Sequence, residues 1–140
     1  MLRVLIMGLP GSGKTELAAN IASDLLLRRK ASWLNADDIR KRYDDWDFTI
    51  PGRVRQSRRM RRLADECNCD VVIADFVAPL KIMREIFDPH IIVWVNTIQS
   101  SLYENTNSLF EPPETCDVEV TTKDAGYWSK IISTKIIKYV

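Results

Sequence analysis

The chain has 140 residues, of which 46% are hydrophobic and 28% charged, and its formal net charge is +1. This length predicts one domain with a sizeable core, and the composition indicates neither a disordered chain nor a coiled coil. The low net charge excludes a strong overall field for nucleic acid or membrane, so any anionic ligand must be held by local groups.

A strand is predicted over residues 2–7, and it leads directly into the octet Gly8-Leu-Pro-Gly-Ser-Gly-Lys14-Thr15. This octet matches the P-loop pattern G-x-x-x-x-G-K-[ST], and the helix predicted over residues 14–29 supplies the context that the motif requires. Backbone N–H groups and the positive end of the helix dipole bind phosphate oxygens in such a loop. The predicted nucleotide-binding residues are Gly8, Gly11, Ser12, Gly13, Lys14 and Thr15.

Two side chains of the octet carry its chemistry. Lys14 is predicted to reach the β- and γ-phosphates of ATP, and the Thr15 hydroxyl is predicted to ligate Mg²⁺. The alternative is a glycine-rich turn that only joins a strand to a helix. That alternative explains the glycines but not the lysine and threonine at their required positions.

The second predicted strand, residues 31–34, is followed by Asn35 and by a helix predicted over residues 37–43. Ligands of open α/β sheets bind at the carboxyl edge, so side chains that follow this strand are candidates for catalysis. Asp37 is the first choice for organising Mg²⁺ and for accepting the proton of an attacking hydroxyl. The alternative is that Asp37 or Asp38 only caps the helix.

The helix predicted over residues 51–67 is rich in arginine. Its arginines are Arg53, Arg55, Arg58, Arg59, Arg61 and Arg62. Because a helix has about 3.6 residues per turn, these side chains cannot all face one ligand, and most are expected to be solvated. Arg53 lies in the first turn, near the binding edge, where a guanidinium suits an anionic acceptor. No aromatic residues alternate with the arginines, so a nucleic-acid surface is not predicted.

A third strand is predicted over residues 70–74 and is followed by Asp75, the position of a Walker-B acid beside the metal. The alternative is a carboxylate that only closes the strand and begins a turn. Phe48 and Phe76 lie just outside predicted elements, where an aromatic ring can stack on a planar base. Ordinary core packing is the alternative for each phenylalanine.

The remaining predicted elements are a helix over residues 79–87, strands over residues 90–95 and 117–121, and a helix over residues 126–138. Strands that alternate with helices are typical of a parallel sheet covered on both faces. The predicted fold class is α/β, a three-layer P-loop NTPase-type sandwich with a five-stranded parallel sheet in a single domain. Residues 100–115 predict a surface loop, which in a P-loop kinase is the lid.

The apolar runs are short and no charged leader precedes the first strand, so we expect a cytoplasmic protein without a membrane partner. Cys67, Cys69 and Cys116 form an odd set without a C-x-x-C pair, and we therefore expect reduced thiols and no disulfide framework. Because His90 is the only histidine, a structural zinc site is not expected.

Taken in chain order, several segments resemble the adenylylsulphate kinase family over about the first two thirds of the chain. They are Gly8 to Thr15, Leu34-Asn-Ala-Asp-Asp-Ile-Arg40, Phe48 with Arg53 and Gln56, and Val72-Ile-Ala-Asp-Phe-Val-Ala-Pro79 with Lys81 and Arg84. Beyond the P-loop, the corresponding family patterns are L-D-G-D-N-[IV]-R, F-S-x-x-D-R-x-E-N and A-F-[IV]-[SA]-P-[FY]-[RK]-x-x-R. Members are cytoplasmic P-loop kinases, often dimeric, that use MgATP to phosphorylate the 3′-hydroxyl of adenosine 5′-phosphosulphate.

The resemblance implies a pocket for a nucleotide substrate. Its residues would be Asp37, Arg40, Phe48, Arg53, Gln56, Phe76, Val77 and Lys81. In this pocket Arg40 and Arg53 would bind the phosphosulphate, the two phenylalanines would hold the adenine, and Asp37 would be the metal-organising acid and the base. The implied cofactors are ATP and Mg²⁺, and a homodimer is an expectation of the same kind.

The chain departs from the family patterns at several positions. Asn35 replaces the first acid of D-G-D, Arg55 replaces a glutamate, and Ala78 stands where serine is commonest, while Asp75 stands where a small residue is usual. The family's lid is long and rich in Lys and Arg, whereas residues 100–113 contain neither. Because phosphoryl transfer depends on positive charge around the γ-phosphate, this difference bears on both the rate and the acceptor.

Three functions are consistent with these features. The first is a kinase of the adenylylsulphate type, with Lys14 and Asp37 as its catalytic residues. The second retains the kinase chemistry but takes another nucleotide or a nucleic-acid hydroxyl as acceptor, as the lid and Asn35 suggest. The third is a nucleotide-binding module that has lost phosphoryl transfer.

Overall fold

A computed structural model describes residues 1–140, which form five strands and six helices. In chain order they are β1 (Leu2–Met7), α1 (Lys14–Leu25), β2 (Ala31–Asn35), α2 (Ala36–Tyr43), α3 (Ile50–Glu66), β3 (Val71–Asp75), α4 (Lys81–Phe87), β4 (Ile91–Val95), α5 (Glu104–Leu109), β5 (Val118–Val120) and α6 (Ala125–Ile137). None of the helices combines the length and the apolar character that a membrane-spanning segment needs.

The strands form one sheet in the order β2-β3-β1-β4-β5, and every pair is parallel. The predicted five-stranded parallel sheet is therefore confirmed. Because the strands run in one direction, Met7, Asn35, Asp75 and Val95 end at the same edge. This carboxyl edge also carries the glycine-rich octet, which begins directly after β1.

The sheet is buried on both faces. Neighbouring residues of each central strand point to opposite faces, and the residues on both faces are apolar. In β1, Val4 and Ile6 belong to a cluster of 15 buried residues beneath α1 and α6. Leu5 and Met7 belong to a second cluster of 11 buried residues beneath α2, α3 and α4. These two clusters are the two interfaces between the sheet and its helical layers, as a three-layer sandwich requires.

The segment predicted as a surface loop contains the short helix α5. Asn107 stabilises the turn before it: its side-chain amide donates to the Ser101 carbonyl oxygen at 2.9 Å and accepts from the Ser101 N–H at 2.8 Å. Thr106 is buried, and its hydroxyl accepts a hydrogen bond from Arg53 of α3. Such side-chain bonds are specific to this loop, and a composition rich in Asn, Ser and Thr does not reveal them.

Cys67 and Cys69 form a disulfide directly after α3, so the expectation of reduced thiols is wrong for this pair. The chain leaves the helix at Cys67 with extended backbone, and the two Cα atoms are 5.5 Å apart, a separation that a disulfide spans. Cys116 is free. The motif rule that argued against a disulfide concerns C-x-x-C spacing and does not cover two cysteines separated by one residue.

Candidate active site

The octet between β1 and α1 has the backbone shape of a phosphate cradle. Gly11 and Gly13 adopt positive φ angles of 81° and 103°, which residues with a Cβ rarely adopt. Gly8 packs so closely against the Val95 carbonyl oxygen that a side chain there would collide with it. Helix α1 begins at Lys14, and the first N–H groups of a helix have no partner within it. The loop therefore presents free N–H groups and the positive helix end at the sheet edge.

Lys14 is buried beside this cradle, and its ammonium donates to the Leu9 carbonyl oxygen at 3.0 Å. Burial lowers the pKa of Lys14, and the negative charges of Asp75 and Asp37 oppose that effect. An ammonium in this environment favours an anionic neighbour, because a phosphate would compensate for the water lost on burial. The structure thus places Lys14 where the motif predicts it.

Asn35 and Asp75 lie side by side at the ends of β2 and β3, and Asn35 pairs with Asp75 in the strand register. Asp75 is only 2% exposed, and its Oδ2 accepts from Asn35 Nδ2 at 2.8 Å and from Trp33 Nε1 at 3.1 Å. Burial raises the pKa of the Asp75 carboxyl, while these two hydrogen bonds and the charge of Lys14 lower it. Asp75 is therefore a buried, partnered carboxylate within the electrostatic field of the phosphate cradle.

The helix-cap alternative for Asp37 is resolved by Asn35, because the Asn35 side-chain oxygen accepts from the Asp38 N–H at 3.0 Å and caps α2. The Asp37 side chain makes no hydrogen bond or ion pair within the protein. It is exposed and lines a cavity beneath the carboxyl edge. Its carboxylate is consequently free for a metal ion or a substrate hydroxyl.

This cavity collects most of the residues that the sequence assigned to substrate binding. They are Asp37, Arg40, Phe48, Arg53, Gln56, Phe76 and Val77. The Phe48 ring is half exposed, and the guanidinium carbons of Arg40 and Arg53 lie 4.3 and 5.4 Å from its centroid. Phe76 is 6% exposed and packs edge-on against Phe87, so it belongs to the core as well as to the cavity wall.

The two cavity arginines are held by main-chain oxygens. Arg40 Nη1 donates to the Asp45 and Asp47 carbonyl oxygens at 2.9 and 3.2 Å, and Arg53 Nε donates to the Phe48 carbonyl oxygen at 2.8 Å. Burial lowers the pKa of both guanidinium groups. Since these partners are neutral, the cavity retains two positive charges that an anionic ligand could neutralise.

Gln56 and Lys81 differ in their placement. The Gln56 amide nitrogen donates to the Ala36 carbonyl oxygen at 3.1 Å, which ties α3 to the start of α2 at the cavity wall. Lys81 does not line the cavity. Its side chain is 65% exposed and its Nζ lies 3.9 Å from the Glu85 carboxylate, one helical turn away on α4.

Most arginines of α3 form ion pairs with carboxylates of the protein. Arg55 and Arg59 both pair with the Asp45 carboxylate, at 2.8 and 2.9 Å. These contacts hold the pKa of Asp45 well below its usual range. Arg61 pairs with Asp65 on its own helix. Apart from Arg53, no arginine of α3 lines the cavity. The expectation that most of the six are solvated holds for Arg55, Arg58 and Arg62, which are exposed, whereas Arg59 and Arg61 are partly buried.

Sequence reasoning missed three residues that contact the site from distant parts of the chain. Lys123, in the loop after β5, donates from Nζ to the Gly11 carbonyl oxygen at 3.0 Å. The Thr97 hydroxyl, after β4, donates to the Ser12 carbonyl oxygen at 2.6 Å. Thr106 of α5 accepts from Arg53 Nη2 at 2.8 Å. The available signal was position, because both Thr97 and Lys123 follow strands at the carboxyl edge.

A second cavity opens on the other side of the phosphate cradle. It is lined by Gly13, Leu17, Val95, Val120, Lys123 and Trp128, among others. Its walls come from α1, the ends of β4 and β5, and the start of α6. The cradle thus lies between two cavities, one beside Asp37 and one beside Lys123.

Comparison with protein families and solved structures agrees with this geometry. The adenylylsulphate kinase family model matches residues 1–99. The APS kinase CysC of Mycobacterium tuberculosis, solved in complex with AMPPNP and APS, superposes with a TM-score of 0.83 at 19% identity, covering 98% of this chain and 97% of that one. The protein APE1195 gives 0.82 at 23% identity, covering 98% and 95%.

Shikimate kinase from Acinetobacter baumannii, solved with shikimate, has a TM-score of 0.67 at 17% identity and covers 99% of this chain and 94% of that one. At these identities the structural matches establish the fold, and the family model establishes the family. Comparison with curated protein sequences gave no significant match. The chain belongs to the adenylylsulphate kinase family and is an ATP-dependent phosphotransferase.

Proposed function

We propose that this protein transfers the γ-phosphoryl group of MgATP to the 3′-hydroxyl of adenosine 5′-phosphosulphate. The observation that carries the proposal is the placement of Asp37. Its unpartnered carboxylate lines the cavity that holds Arg40, Arg53 and Phe48, and its charge acts on Lys14 of the phosphate cradle. An acid so placed can act on a hydroxyl that faces a bound triphosphate.

The residues around the cradle suit Mg²⁺. The Thr15 hydroxyl and the Asp37 carboxylate are oxygen donors of the kind that Mg²⁺ prefers, and Asp75 adds negative charge behind them. No three or more acidic, histidine or cysteine side chains are grouped so that they could hold a metal ion. Such a sparse set fits Mg²⁺, which retains waters and binds one or two carboxylates together with substrate phosphates. When bound, Mg²⁺ would neutralise charge on the β- and γ-phosphates.

In the proposed reaction Asp37 accepts the proton of the 3′-hydroxyl. The freed oxygen forms a bond to the γ-phosphorus while the bond from that phosphorus to the β,γ-bridging oxygen breaks, and ADP retains the electron pair. Lys14 is expected to leave the Leu9 carbonyl oxygen and to bind the β- and γ-phosphates. The free N–H groups of the cradle hold the remaining phosphate oxygens.

The cavity beside Asp37 would hold the acceptor. Arg40 and Arg53 supply positive charge for the phosphosulphate, and Phe48, whose ring is half exposed, offers a face to the adenine. Gln56 and Val77 complete the wall. Lys81 lies outside this wall, and we assign it no contact with the acceptor.

The lid contains neither Lys nor Arg between residues 100 and 115. Lys123 is the cation that reaches the cradle from outside the octet, through its contact with the Gly11 carbonyl oxygen. We infer that Lys123 contributes part of the positive charge that a basic lid would supply. Because its side chain is long and exposed, its ammonium can move from a carbonyl oxygen to a phosphate oxygen.

The direct test is product formation from MgATP and adenosine 5′-phosphosulphate, followed by separation of ADP and the 3′-phosphorylated nucleotide. We expect product from the unaltered protein. Lys14→Ala and Asp37→Asn should each reduce kcat by roughly 100-fold or more, because each removes a group that acts on the reacting atoms. Asp38→Asn is the matched control, since Asp38 is exposed and its backbone N–H, not its side chain, takes part in the cap.

Other outcomes would change the conclusion. If the enzyme transfers label from ATP to a different nucleotide or a polynucleotide in preference to adenosine 5′-phosphosulphate, the acceptor assignment is wrong while the kinase chemistry stands. Calorimetric binding of ATP without transfer to any acceptor would instead identify a binding module.

We further propose that the protein acts in the cytoplasm, in sulphate assimilation, and as a homodimer. The first two proposals rest on membership of the family. Light scattering of the purified protein tests the third, and a mass near the 16.1 kDa of one chain would contradict it.

A further inference from the structure

The side chains of Asn35 and Asp75 form a hydrogen-bonded pair at the carboxyl edge of the sheet. In this chain the two positions are direct neighbours in the register of β2 and β3. An amide and a carboxylate therefore lie side by side at the same level of the sheet.

We propose that Asn35 is a positioning residue which couples Asp75 to Thr15 and to the helix that carries Asp37. The inference rests on the proposed function, because it takes Thr15 and Asp37 as the groups that act on the metal and the acceptor.

The first support is the way in which Asp75 is held. A carboxylate that is 2% exposed requires hydrogen-bond donors, since an unpartnered buried charge is costly. Both donors come from β2: Asn35 Nδ2 at 2.8 Å and Trp33 Nε1 at 3.1 Å, each to Oδ2. Residues 33 and 35 are two apart on a strand and so point to the same face. Both therefore suit a carboxylate placed on β3.

The second support is that Asn35 uses both ends of its amide. Its oxygen accepts from the Asp38 N–H at 3.0 Å, which fixes the start of α2 and hence the backbone of Asp37. Its nitrogen donates to Asp75 and lies 3.3 Å from the Thr15 hydroxyl oxygen. An amide provides an acceptor and two donor hydrogens, whereas a carboxylate only accepts.

These contacts predict how exchanges at the two positions behave. Asn35→Asp would place two carboxylates side by side, and Asp75→Asn would place two amides side by side and remove the buried carboxylate. The double exchange Asn35→Asp with Asp75→Asn restores one amide and one carboxylate in the opposite order. In that variant the residue on β2 can still cap α2 through an oxygen, and the amide oxygen on β3 can still accept from Trp33.

The experiment is a double-mutant cycle on MgATP affinity, measured by calorimetry, and on acceptor-independent ATP hydrolysis. We expect each single exchange to weaken MgATP binding about tenfold or more and the double exchange to recover at least half of that loss on a logarithmic scale. A double variant no better than the weaker single variant would overturn the proposal. Because neither measurement uses an acceptor, the cycle is independent of which hydroxyl the enzyme phosphorylates.

A second readout reports on Trp33 without activity. The indole N–H resonance of Trp33, assigned by its loss in Trp33→Phe, should move in Asp75→Asn and should also move when MgATP binds. Trp33→Phe should weaken MgATP binding several-fold, whereas Trp46→Phe, at an exposed tryptophan without a side-chain hydrogen bond, should not. An indole signal that responds to neither change would overturn the proposed coupling.

Discussion

Lys14 and Lys123 show how the surroundings of a residue decide what it can do. Each ammonium donates to a carbonyl oxygen of the phosphate cradle, Lys14 to Leu9 and Lys123 to Gly11, both at 3.0 Å. Lys14 is buried, and its position in the octet identified it from the sequence. Lys123 is exposed and comes from a segment without a recognisable motif.

Lys123→Ala is expected to weaken ATP binding by roughly tenfold, because a charge-assisted hydrogen bond to a phosphate contributes about 1.5–3 kcal/mol and exposure reduces its value. Titration calorimetry with ATP measures the effect. Lys123→Arg should retain most of the affinity, since it preserves the charge. Lys130→Ala, at an exposed lysine on α6, is the control, and an equal loss in that variant would show a general charge effect.

At the scale of an element, helix α5 illustrates a contact that connects residues 100–115 to the cavity beside Asp37. Thr106 is 5% exposed, and its hydroxyl accepts from Arg53 Nη2 of α3 at 2.8 Å. Arg84 of α4 donates to the Ala78 carbonyl oxygen at 2.9 Å and also contacts the Glu111 carbonyl oxygen, just beyond α5. This segment is therefore attached to arginines of the helical layer both within α5 and just beyond its C-terminus.

Thr106→Val is expected to destabilise the protein by about 1–3 kcal/mol, because it leaves a buried guanidinium N–H without an acceptor. Unfolding in urea, followed by circular dichroism, measures this change. Thr106→Ser retains the hydroxyl and should lose much less stability. Ser108→Ala, at an exposed position of the same helix, should be near neutral, and a valine variant as stable as the parent would refute the assigned contact.

At the scale of the whole molecule, the stability of the sheet is linked to pH through His90. His90 Nδ1 accepts from the Arg3 N–H at 2.9 Å, which joins the start of β4 to β1. Burial, together with the positive charges of Arg3, Arg61 and the N-terminus, lowers the pKa of His90, and Asp88 opposes the effect. The folded protein therefore favours the neutral imidazole, whose Nδ1 has a free lone pair.

The sign of the pH effect follows from this lowered pKa. As pH falls through about 6.5, the usual pKa of histidine, the unfolded chain takes up a proton before the folded chain does. Stability should consequently decline between pH 7.5 and 5.5. His90→Asn, which preserves an acceptor but does not titrate, should show a smaller decline when both proteins are unfolded in urea at the two pH values. An identical decline would exclude His90 as the cause.

The nucleotide half of the site could be predicted because its information is local. The octet, the strand before it and the helix after it lie within one continuous segment, and glycine conformations there depend on the adjacent backbone. The position of Asp37 followed in the same way, since it comes directly after a strand that ends at the carboxyl edge. The resemblance grouped eight residues as a substrate pocket, and all of them except Lys81 line one cavity in the structure.

By itself, the sequence determined the five strands, five of the six helices and the phosphate cradle, because alternating apolar patterns and a contiguous motif depend on near neighbours along the chain. Only the tertiary structure decided which distant residues meet. Asn35 lies 40 residues from Asp75, and Lys123 lies 112 residues from Gly11, yet parallel strand pairing brings each pair together at one edge. Strand order and register are properties of the assembled sheet, and they place the partners of Asp75, the lid contact of Arg53 and the cation on the cradle.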